Sequence, residues 1–194
     1  MHVNVILFDG FETLDAFGPI EVLARDNRHL LNCYSLAGGK IVSAQGTEII
    51  TRPLSEASRD GVMLLPGGRG TRALVNDDDF LRSLRNLAEN TQYCLSVCTG
   101  SALLAKAGLL DGKKATSNKK VFDWVASNSD KVFWQRKARW VTDGKFYTAS
   151  GVSAGIDMAL SFLADVYGKD IAKTVAKDIE YIWNEKSDDD PFAV

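Results

Sequence analysis

The most informative part of the chain is Tyr93-Cys94-Leu95-Ser96-Val97-Cys98-Thr99-Gly100-Ser101-Ala102-Leu103-Leu104-Ala105. Its first part is an apolar run typical of a buried strand, and the residues after Gly100 are typical of a helix. Cys98 lies at the corner between them. A sharp strand-to-helix turn presents its central side chain at the carboxyl edge of a sheet, beside the first amides of the helix. The stretch therefore predicts a nucleophile elbow that carries a thiol.

Outward from this elbow, short β-rich runs alternate with helical patterns. Gly38-Gly39 predicts a turn between two strands, residues 48–52 an edge strand, and Asp143-Gly144 a hairpin. The predicted strands cover residues 3–8, 32–37, 41–43, 48–52, 62–65, 93–97, 114–117, 132–134, 139–142 and 145–149. The predicted helices cover residues 14–25, 77–90, 121–126, 153–167 and 171–183, besides the helix after Cys98. This alternation indicates a three-layer α/β domain with a mostly parallel sheet.

Composition and length limit the possible classes of protein. With 194 residues, we expect one domain over residues 1–186, followed by a frayed acidic tail over residues 187–194. A net charge of −2 gives no electrostatic reason to expect a nucleic acid or an anionic membrane as partner. The longest apolar stretches fall far short of the roughly 20 residues of a membrane span. The N-terminus is typical of a first strand, and three irregularly spaced cysteines favour a reducing cytoplasm.

Three polar clusters follow predicted strands, and parallel strands bring their carboxyl ends to one edge of a sheet. They are residues 9–15, residues 66–70 and Cys98-Thr99-Gly100. Cys98 would attack as a thiolate, because helix N-terminal amides lower a thiol pKa. Backbone N–H groups of the Gly67-Gly68 turn and of Thr99 would face a developing negative charge. A carboxyl group of the first cluster would then donate or accept a proton.

Structural interpretations of the same residues stay open at this point. In these interpretations Cys98 is a small buried residue, Asp15 is a helix cap, and Asn118 is either a cap or a cleft residue. The carboxyl partner of the thiol is Asp15, Glu12 or Glu21. The tryptophans are more typical of packing than of a ligand site, and Asp157 of a structural role. The basic residues near the middle of the chain read as a solvated face: Lys113, Lys114, Lys119 and Lys120.

The chain resembles the ThiJ/PfpI superfamily, which includes the parkinsonism-associated deglycase-like protein and the intracellular proteases. The resemblance extends over nearly the whole chain. It rests on six pieces in this order: Phe8-Asp9-Gly10-Phe11-Glu12-Thr13-Leu14-Asp15, Gly18-Pro19-Ile20-Glu21-Val22, Leu65-Pro66-Gly67-Gly68, Val97-Cys98-Thr99-Gly100, residues 107–116 and residues 150–157. It implies a flavodoxin-like sandwich, similar to that of class I glutamine amidotransferases, and a homodimer.

Within the superfamily, Leu14-Asp15, Gly18-Pro19 and the Cys98-Thr99-Gly100 corner are most similar to the isonitrile hydratase branch. This resemblance implies Cys98 as the nucleophile and Asp15 as its carboxyl partner. Water then adds to a small electrophilic isocyanide through a thioimidate on Cys98, and an N-substituted formamide is released. The resemblance implies no metal and no organic cofactor.

The chain departs from the family pattern where relatives carry histidine. Thr99 follows the cysteine, Asn118 follows the later Ala-Thr-Ser run, and only His2 and His29 are present. We therefore expect neither a Cys-His peptidase nor a His-rich zinc site. Glyoxalase- or deglycase-like chemistry on 2-oxoaldehydes and a redox sensor at Cys98 remain alternatives. A fused helix-turn-helix regulator is not expected, since little chain follows the last predicted helix.

Overall fold

The computed structural model describes residues 1–193, and a mixed eight-stranded sheet forms its centre. The described residues form ten strands, and all except β7 and β8 belong to this sheet. The strands are β1 (His2–Ile6), β2 (Leu30–Ser35), β3 (Ala37–Val42), β4 (Glu48–Pro53), β5 (Val62–Leu65), β6 (Tyr93–Val97), β7 (Lys114–Ala115), β8 (Phe133–Trp134), β9 (Trp140–Asp143) and β10 (Phe146–Ala149). Their order in the large sheet is β3-β4-β2-β1-β5-β6-β10-β9. Six central strands are parallel, and the two edge strands β3 and β9 are antiparallel to their neighbours.

Helices cover both faces of this sheet and complete the α/β sandwich that the sequence predicts. They are α1 (Thr13–Ala24), α2 (Thr71–Leu74), α3 (Asp78–Asn90), α4 (Gly100–Lys106), α5 (Phe122–Ala126), α6 (Ala154–Tyr167) and α7 (Lys169–Asp178). Helix α6 packs against α1 and α7, whereas α4 packs against α2 and α3. Every residue of β5 and β10 is buried, as expected of strands that are covered on both faces.

Two glycines let α1, α6 and the sheet approach closely. A Cβ at Gly155 would lie 2.8 Å from Val97 and 3.2 Å from Pro19, and one at Gly18 would lie 2.8 Å from Ile156. These contacts bring the start of α6 and the middle of α1 against the carboxyl end of β6. The two helices therefore meet directly beside the elbow.

The predicted glycine turn is wrong, and the strand predicted over residues 48–52 is present as β4 but does not lie at the edge of the sheet. Gly38 and Gly39 lie inside β3, which pairs with β4 and is itself the edge of the sheet. Gly38 has a φ of +74°, and a Cβ there would lie 2.7 Å from the backbone nitrogen of Pro53. The glycine is required because the β3 backbone lies so close to β4, not because the chain turns there. The chain instead changes direction at Leu36.

Two boundaries also differ from the predictions, and one hairpin is confirmed. The predicted strand 114–117 forms only β7, which pairs with β8 outside the large sheet. The last helix ends at Asp178, ahead of Glu180 with its φ of +52°. Asp143 pairs with Phe146 in the β9–β10 hairpin, as the Asp-Gly signal predicts.

The C-terminal segment, residues 187–193, is packed against the domain rather than frayed. The carbonyl oxygen of Ser187 accepts the N–H of Arg139 at 2.7 Å, and Asp190 is buried. Asp190 also donates its backbone N–H to the carbonyl of Lys137 at 2.8 Å. Within residues 1–193, no helix has both the length and the apolar content that a membrane crossing requires.

Candidate active site

Cys98 lies at the sharp turn between β6 and α4, as the sequence predicts. Its φ is +56°, in the left-handed region that side chains other than glycine rarely occupy. Such a conformation costs on the order of 1–3 kcal/mol, and it persists only where the surroundings impose it. The side chain is 7% exposed. The thiol is therefore held at the carboxyl edge of the sheet, nearly out of contact with bulk water.

Hydrogen bonds hold both backbone groups of Cys98 in this conformation. Its N–H donates to the carbonyls of Ala149 and Ser150, at 3.1 and 2.8 Å. Its carbonyl accepts the hydroxyls of Ser101 at 3.1 Å and Ser117 at 2.8 Å. These partners come from three different segments, so the elbow is fixed by the carboxyl end of β10, by α4 and by the chain after β7. Neither serine is among the predicted site residues, and Ser117 is brought to Cys98 only by the fold.

Asp15 is the carboxyl group that the fold places against the thiol. It is fully buried in the first turn of α1. Its Oδ2 accepts the N–H of Gly67 at 3.0 Å, so the side chain bridges α1 to the glycine turn and does not cap its own helix. The other oxygen, Oδ1, is buried without a hydrogen-bond partner among the described residues. This oxygen is available to exchange a proton.

The Asp15 carboxyl and the Cys98 thiol interact closely enough to affect each other's ionisation. Burial, opposed by the N–H of Gly67 and assisted by the nearby charge of Glu12, raises the pKa of Asp15 to about 7. Burial also raises the pKa of Cys98 well above its usual value, and the Asp15 charge adds to this effect. Near neutral pH the pair therefore retains a proton on sulfur.

The expected lowering of the Cys98 pKa by helix amides is wrong. The N–H of Thr99 and the side chain of Asn118 do stabilise a thiolate. Helix α4 is however only seven residues long, and burial of the sulfur outweighs these groups. The thiol at rest is neutral, and it can react as a nucleophile only if a neighbouring group accepts its proton.

The glycine turn is built around Thr99 and Asp15. A Cβ at Gly67 would lie 2.5 Å from the nitrogen of Thr99 and 3.0 Å from Oδ2 of Asp15. Gly68 has a φ of +123° and donates its N–H to Oγ1 of Thr99 at 3.0 Å. The N–H of Gly68 is thus occupied and does not face a developing charge, contrary to expectation. The Thr99 hydroxyl therefore binds the glycine turn, whereas the Thr99 N–H donates to the sulfur of Cys98.

Asn118 lies in the cleft and also caps a turn, so both of its predicted roles are present. Its Oδ1 accepts the N–H of Lys120 at 2.9 Å. Its amide interacts with the Cys98 thiol, and Nδ2 lies against Gly151. Lys119 is not part of a solvated face, because its Nζ donates to the hydroxyl of Thr116 at 2.8 Å.

The other two candidate carboxylates do not contact the thiol. Glu12 donates its backbone N–H to the carbonyl of Gly67 at 2.9 Å, and its side chain accepts a hydrogen bond from Gln45 at 2.8 Å. Its charge acts on Asp15 rather than on sulfur. Glu21 lies on the exposed face of α1 in an ion pair with Arg25. Glu21 is therefore removed from the list of partners.

An arginine that is not among the predicted site residues lies beside the site. Arg72 follows the glycine turn on α2, and its guanidinium carbon lies 3.2 Å from the ring centre of Trp124. Partial burial lowers the pKa of Arg72, and the negative charge of Cys98 in its thiolate form opposes this effect. The sequence signal that could have identified Arg72 was its position just after a glycine-rich turn, six residues before Asp78.

Neither histidine takes part in the site. His2 begins β1, and His29 is buried with its ring nitrogens against the carbonyl of Leu23 and the hydroxyl of Tyr167. Over residues 1–193, no group of three or more His, Cys, Asp or Glu side chains is placed to hold a metal ion.

The elbow, the buried thiol and the carboxyl partner define a cysteine-centred α/β sandwich. The chain belongs to the DJ-1/PfpI family, whose model matches residues 1–165. It is 33% identical over 184 residues to an isonitrile hydratase from Pseudomonas putida, which covers 93% of this chain and 78% of that protein. It is 27% identical over 128 residues to a deglycase from Thermococcus kodakarensis, which covers 64% of this chain and 76% of the deglycase. A ThiJ/PfpI family protein from Pseudomonas syringae superposes with a TM-score of 0.85 at 29% identity, over 93% of this chain and 74% of the other.

Proposed function

We propose that this protein is a cysteine enzyme that hydrates isocyanides to N-substituted formamides. The observation that carries the proposal is the buried pair of Cys98 and Asp15, in which one carboxyl oxygen has no hydrogen-bond partner among the described residues. The similarity to the isonitrile hydratase of Pseudomonas putida supports the choice of substrate.

In the first step, the Asp15 carboxylate accepts the thiol proton as the sulfur of Cys98 bonds to the terminal carbon of the isocyanide. Asp15 then gives that proton to the same carbon. The product is a thioimidate in which the former terminal carbon carries sulfur, hydrogen and a doubly bonded nitrogen. Asn118 and the N–H of Thr99 stabilise the negative charge that develops on sulfur.

In the second step, Asp15 accepts a proton from water while the water oxygen bonds to the thioimidate carbon. The carbon–sulfur bond then breaks, and protons return to the nitrogen and to the sulfur. A formamide leaves, and the thiol and carboxylate are restored. One carboxyl group serves both steps, because each step only moves a proton between it and an adjacent atom.

The test is incubation of the purified protein with cyclohexyl isocyanide and detection of N-cyclohexylformamide by proton NMR. We expect product from the wild type, none from Cys98→Ala, and full activity from Cys33→Ala, which removes a half-buried cysteine of β2. If Cys98 reacts readily with iodoacetamide and yet no formamide forms, isocyanide hydration is wrong.

The similarity to the deglycase favours a second candidate, conversion of 2-oxoaldehydes. The same thiol would add to the aldehyde carbon of methylglyoxal to form a hemithioacetal. A hydrogen would then move from that carbon to the neighbouring ketone carbon, which oxidises the first and reduces the second and gives a lactoyl thioester. Water would hydrolyse the carbon–sulfur bond of this thioester, releasing lactate and restoring the thiol. Lactate formation that is abolished in Cys98→Ser, without formamide formation from isocyanides, would favour this activity. The absence of a histidine beside Cys98 in the described residues is an argument against it.

A sensor role at Cys98 is less favoured, because oxidation begins from the thiolate and burial disfavours that form. Selective sulfenic acid formation at Cys98 under mild peroxide, detected by mass spectrometry, would support it. We further propose that the protein works as a homodimer on a small-molecule substrate in the reducing cytoplasm, with neither nucleic acid nor membrane as partner and with no cofactor.

A further inference from the structure

A cavity of about 350 Å³ adjoins the cysteine site. Its lining comes from the chain after β7, from the loop after β10 and from the C-terminal segment: Asn118, Lys119, Lys120, Ser150, Gly151, Val152, Ser153 and Phe192. Asn118 also interacts with the Cys98 thiol, and the carbonyl of Ser150 accepts the N–H of Cys98. The cavity volume falls within the range of small-molecule pockets. The space next to the thiol is thus large enough for the body of a substrate.

Phe192 is the only aromatic side chain in this lining as far as the described residues go. It is 69% exposed and makes no ring–ring contact with the described aromatic residues. An exposed ring at the wall of a cavity gains free energy when an apolar group covers it. The ring is therefore a contact surface that the folded chain itself leaves uncovered.

Buried polar contacts fix the position of Phe192. Asp190 accepts the N–H of Phe192 through Oδ1 at 2.9 Å, and the same oxygen lies 3.8 Å from a guanidinium nitrogen of Arg139. Arg139 in turn donates to Oδ2 of Asp157 at 2.7 Å. The aspartates are fully buried and the arginine nearly so. The wall is consequently a fixed part of the domain, although it comes from the end of the described chain.

We propose that this cavity binds the substituent of the substrate and that Phe192 selects for an apolar, ring-bearing one. The electrophilic carbon would then lie at Cys98, and the substituent would extend past Asn118 to Phe192. The proposal rests on the proposed function only for the identity of the electrophile. It names the substrate class as isocyanides with an aromatic or alicyclic substituent.

The test measures alkylation of Cys98 by N-benzylmaleimide, N-methylmaleimide and N-carboxymethylmaleimide, with the modified peptide quantified by mass spectrometry. In this reaction the sulfur bonds to one alkene carbon, the alkene π bond breaks, and the thiol proton moves to the other carbon. We expect Phe192→Ala to slow the benzyl reagent about tenfold and the methyl reagent less than twofold, because only the ring of the former reaches the wall.

Phe133→Ala is the matched control, since this phenylalanine of β8 is 61% exposed and does not line the cavity. It should leave the benzyl-to-methyl ratio unchanged, whereas Phe192→Leu should retain part of the preference. An unchanged ratio in Phe192→Ala would overturn the proposal. A preference for the carboxylated reagent would also overturn it, if Lys120→Gln removed that preference and Phe192→Ala did not.

The reagents separate this proposal from the proposed function. If the wild type prefers the benzyl reagent through Phe192 but forms no formamide, the pocket stands and isocyanide hydration fails. If the wild type hydrates isocyanides while Phe192→Ala keeps both the maleimide ratio and the relative rates of cyclohexyl and methyl isocyanide, the pocket alone fails.

Discussion

At the scale of single residues, the proposed chemistry depends on one buried thiol and one buried carboxyl group that interact with each other. The sequence was sufficient to select Cys98, from its strand–turn–helix context, and Asp15, from the family motif. It was not sufficient to predict their pKa values, because the helical pattern after Cys98 does not reveal how deeply the two groups are buried. Burial raises the pKa of both groups. Their joint protonation state, rather than a preformed thiolate, sets the reactivity.

Isocyanide hydration should rise with pH through about 7, the pKa of Asp15, because the carboxylate is the form that accepts the thiol proton. The measurement is kcat/KM for cyclohexyl isocyanide between pH 5 and pH 9, at about unit intervals. Asp15→Asn should lower the rate at every pH by about a hundredfold or more and remove the inflection. An inflection that persists in Asp15→Asn would assign it to another group.

The Asp15 carboxyl group should lower the stability of the protein over the same pH range in which it raises the activity. The folded-state pKa of Asp15 is raised, so its contribution is fully present below about 4 and is lost as the pH rises through about 7. Asp15→Asn should therefore gain stability relative to the wild type between pH 5 and pH 8. The gain is as much as several kcal/mol, since one pKa unit corresponds to about 1.4 kcal/mol. Urea unfolding of both proteins at each end of this pH range measures the gain. A stability difference between them that does not change with pH would contradict the prediction.

At the scale of elements, the site is assembled where α1, the glycine turn and the elbow meet. The N–H of Gly67 holds Asp15, and the hydroxyl of Thr99 holds the N–H of Gly68. The sequence predicted this convergence because the polar clusters follow parallel strands. It assigned the wrong role to Gly68, since the direction of an N–H group depends on a φ of +123° that no residue pattern specifies. The edge position of β3 was missed for a similar reason, because it depends on the positive φ of Gly38, which no residue pattern specifies either.

Gly67→Ala should abolish most activity, because its Cβ would lie 2.5 Å from the nitrogen of Thr99 and force the turn away from Asp15. We expect a loss of stability of about 1–3 kcal/mol from this overpacking. Gly112→Ala is the control: Gly112, unlike Gly67, has a positive φ, but nothing lies within 4 Å of its Cβ position. That variant should lose some stability and keep full activity. Equal activity of the two variants would show that the turn tolerates displacement.

At the scale of the whole molecule, a buried ionic cluster joins the C-terminal segment to the domain. Arg139 lies before β9, Asp157 in α6 and Asp190 in the segment that the sequence predicted to be frayed. A run of aspartates resembles a solvated tail by composition. The partner that buries one of them is distant in the chain, so the sequence pattern could not reveal it. The layered fold, by contrast, followed from local periodicity and was predicted correctly.

Arg139→Met should destabilise the protein by about 3–5 kcal/mol, since it leaves two carboxylates buried without their cation. Urea unfolding measures this loss. Arg136→Met is the matched control, because Arg136 pairs with Asp123 at the surface and such pairs contribute little. Similar losses in the two variants would show that the buried cluster is not what holds the segment.

The left-handed backbone at Cys98 has a cost that the protein bears for the sake of its chemistry. Glycine adopts a φ of +56° freely, whereas cysteine does so only under constraint. A Cys98→Gly protein should therefore be inactive and yet more resistant to heat than Cys98→Ala, with both compared by calorimetry. Glycine would then stabilise the fold at this position, and the proposed function, which needs a sulfur atom there, accounts for the presence of cysteine instead.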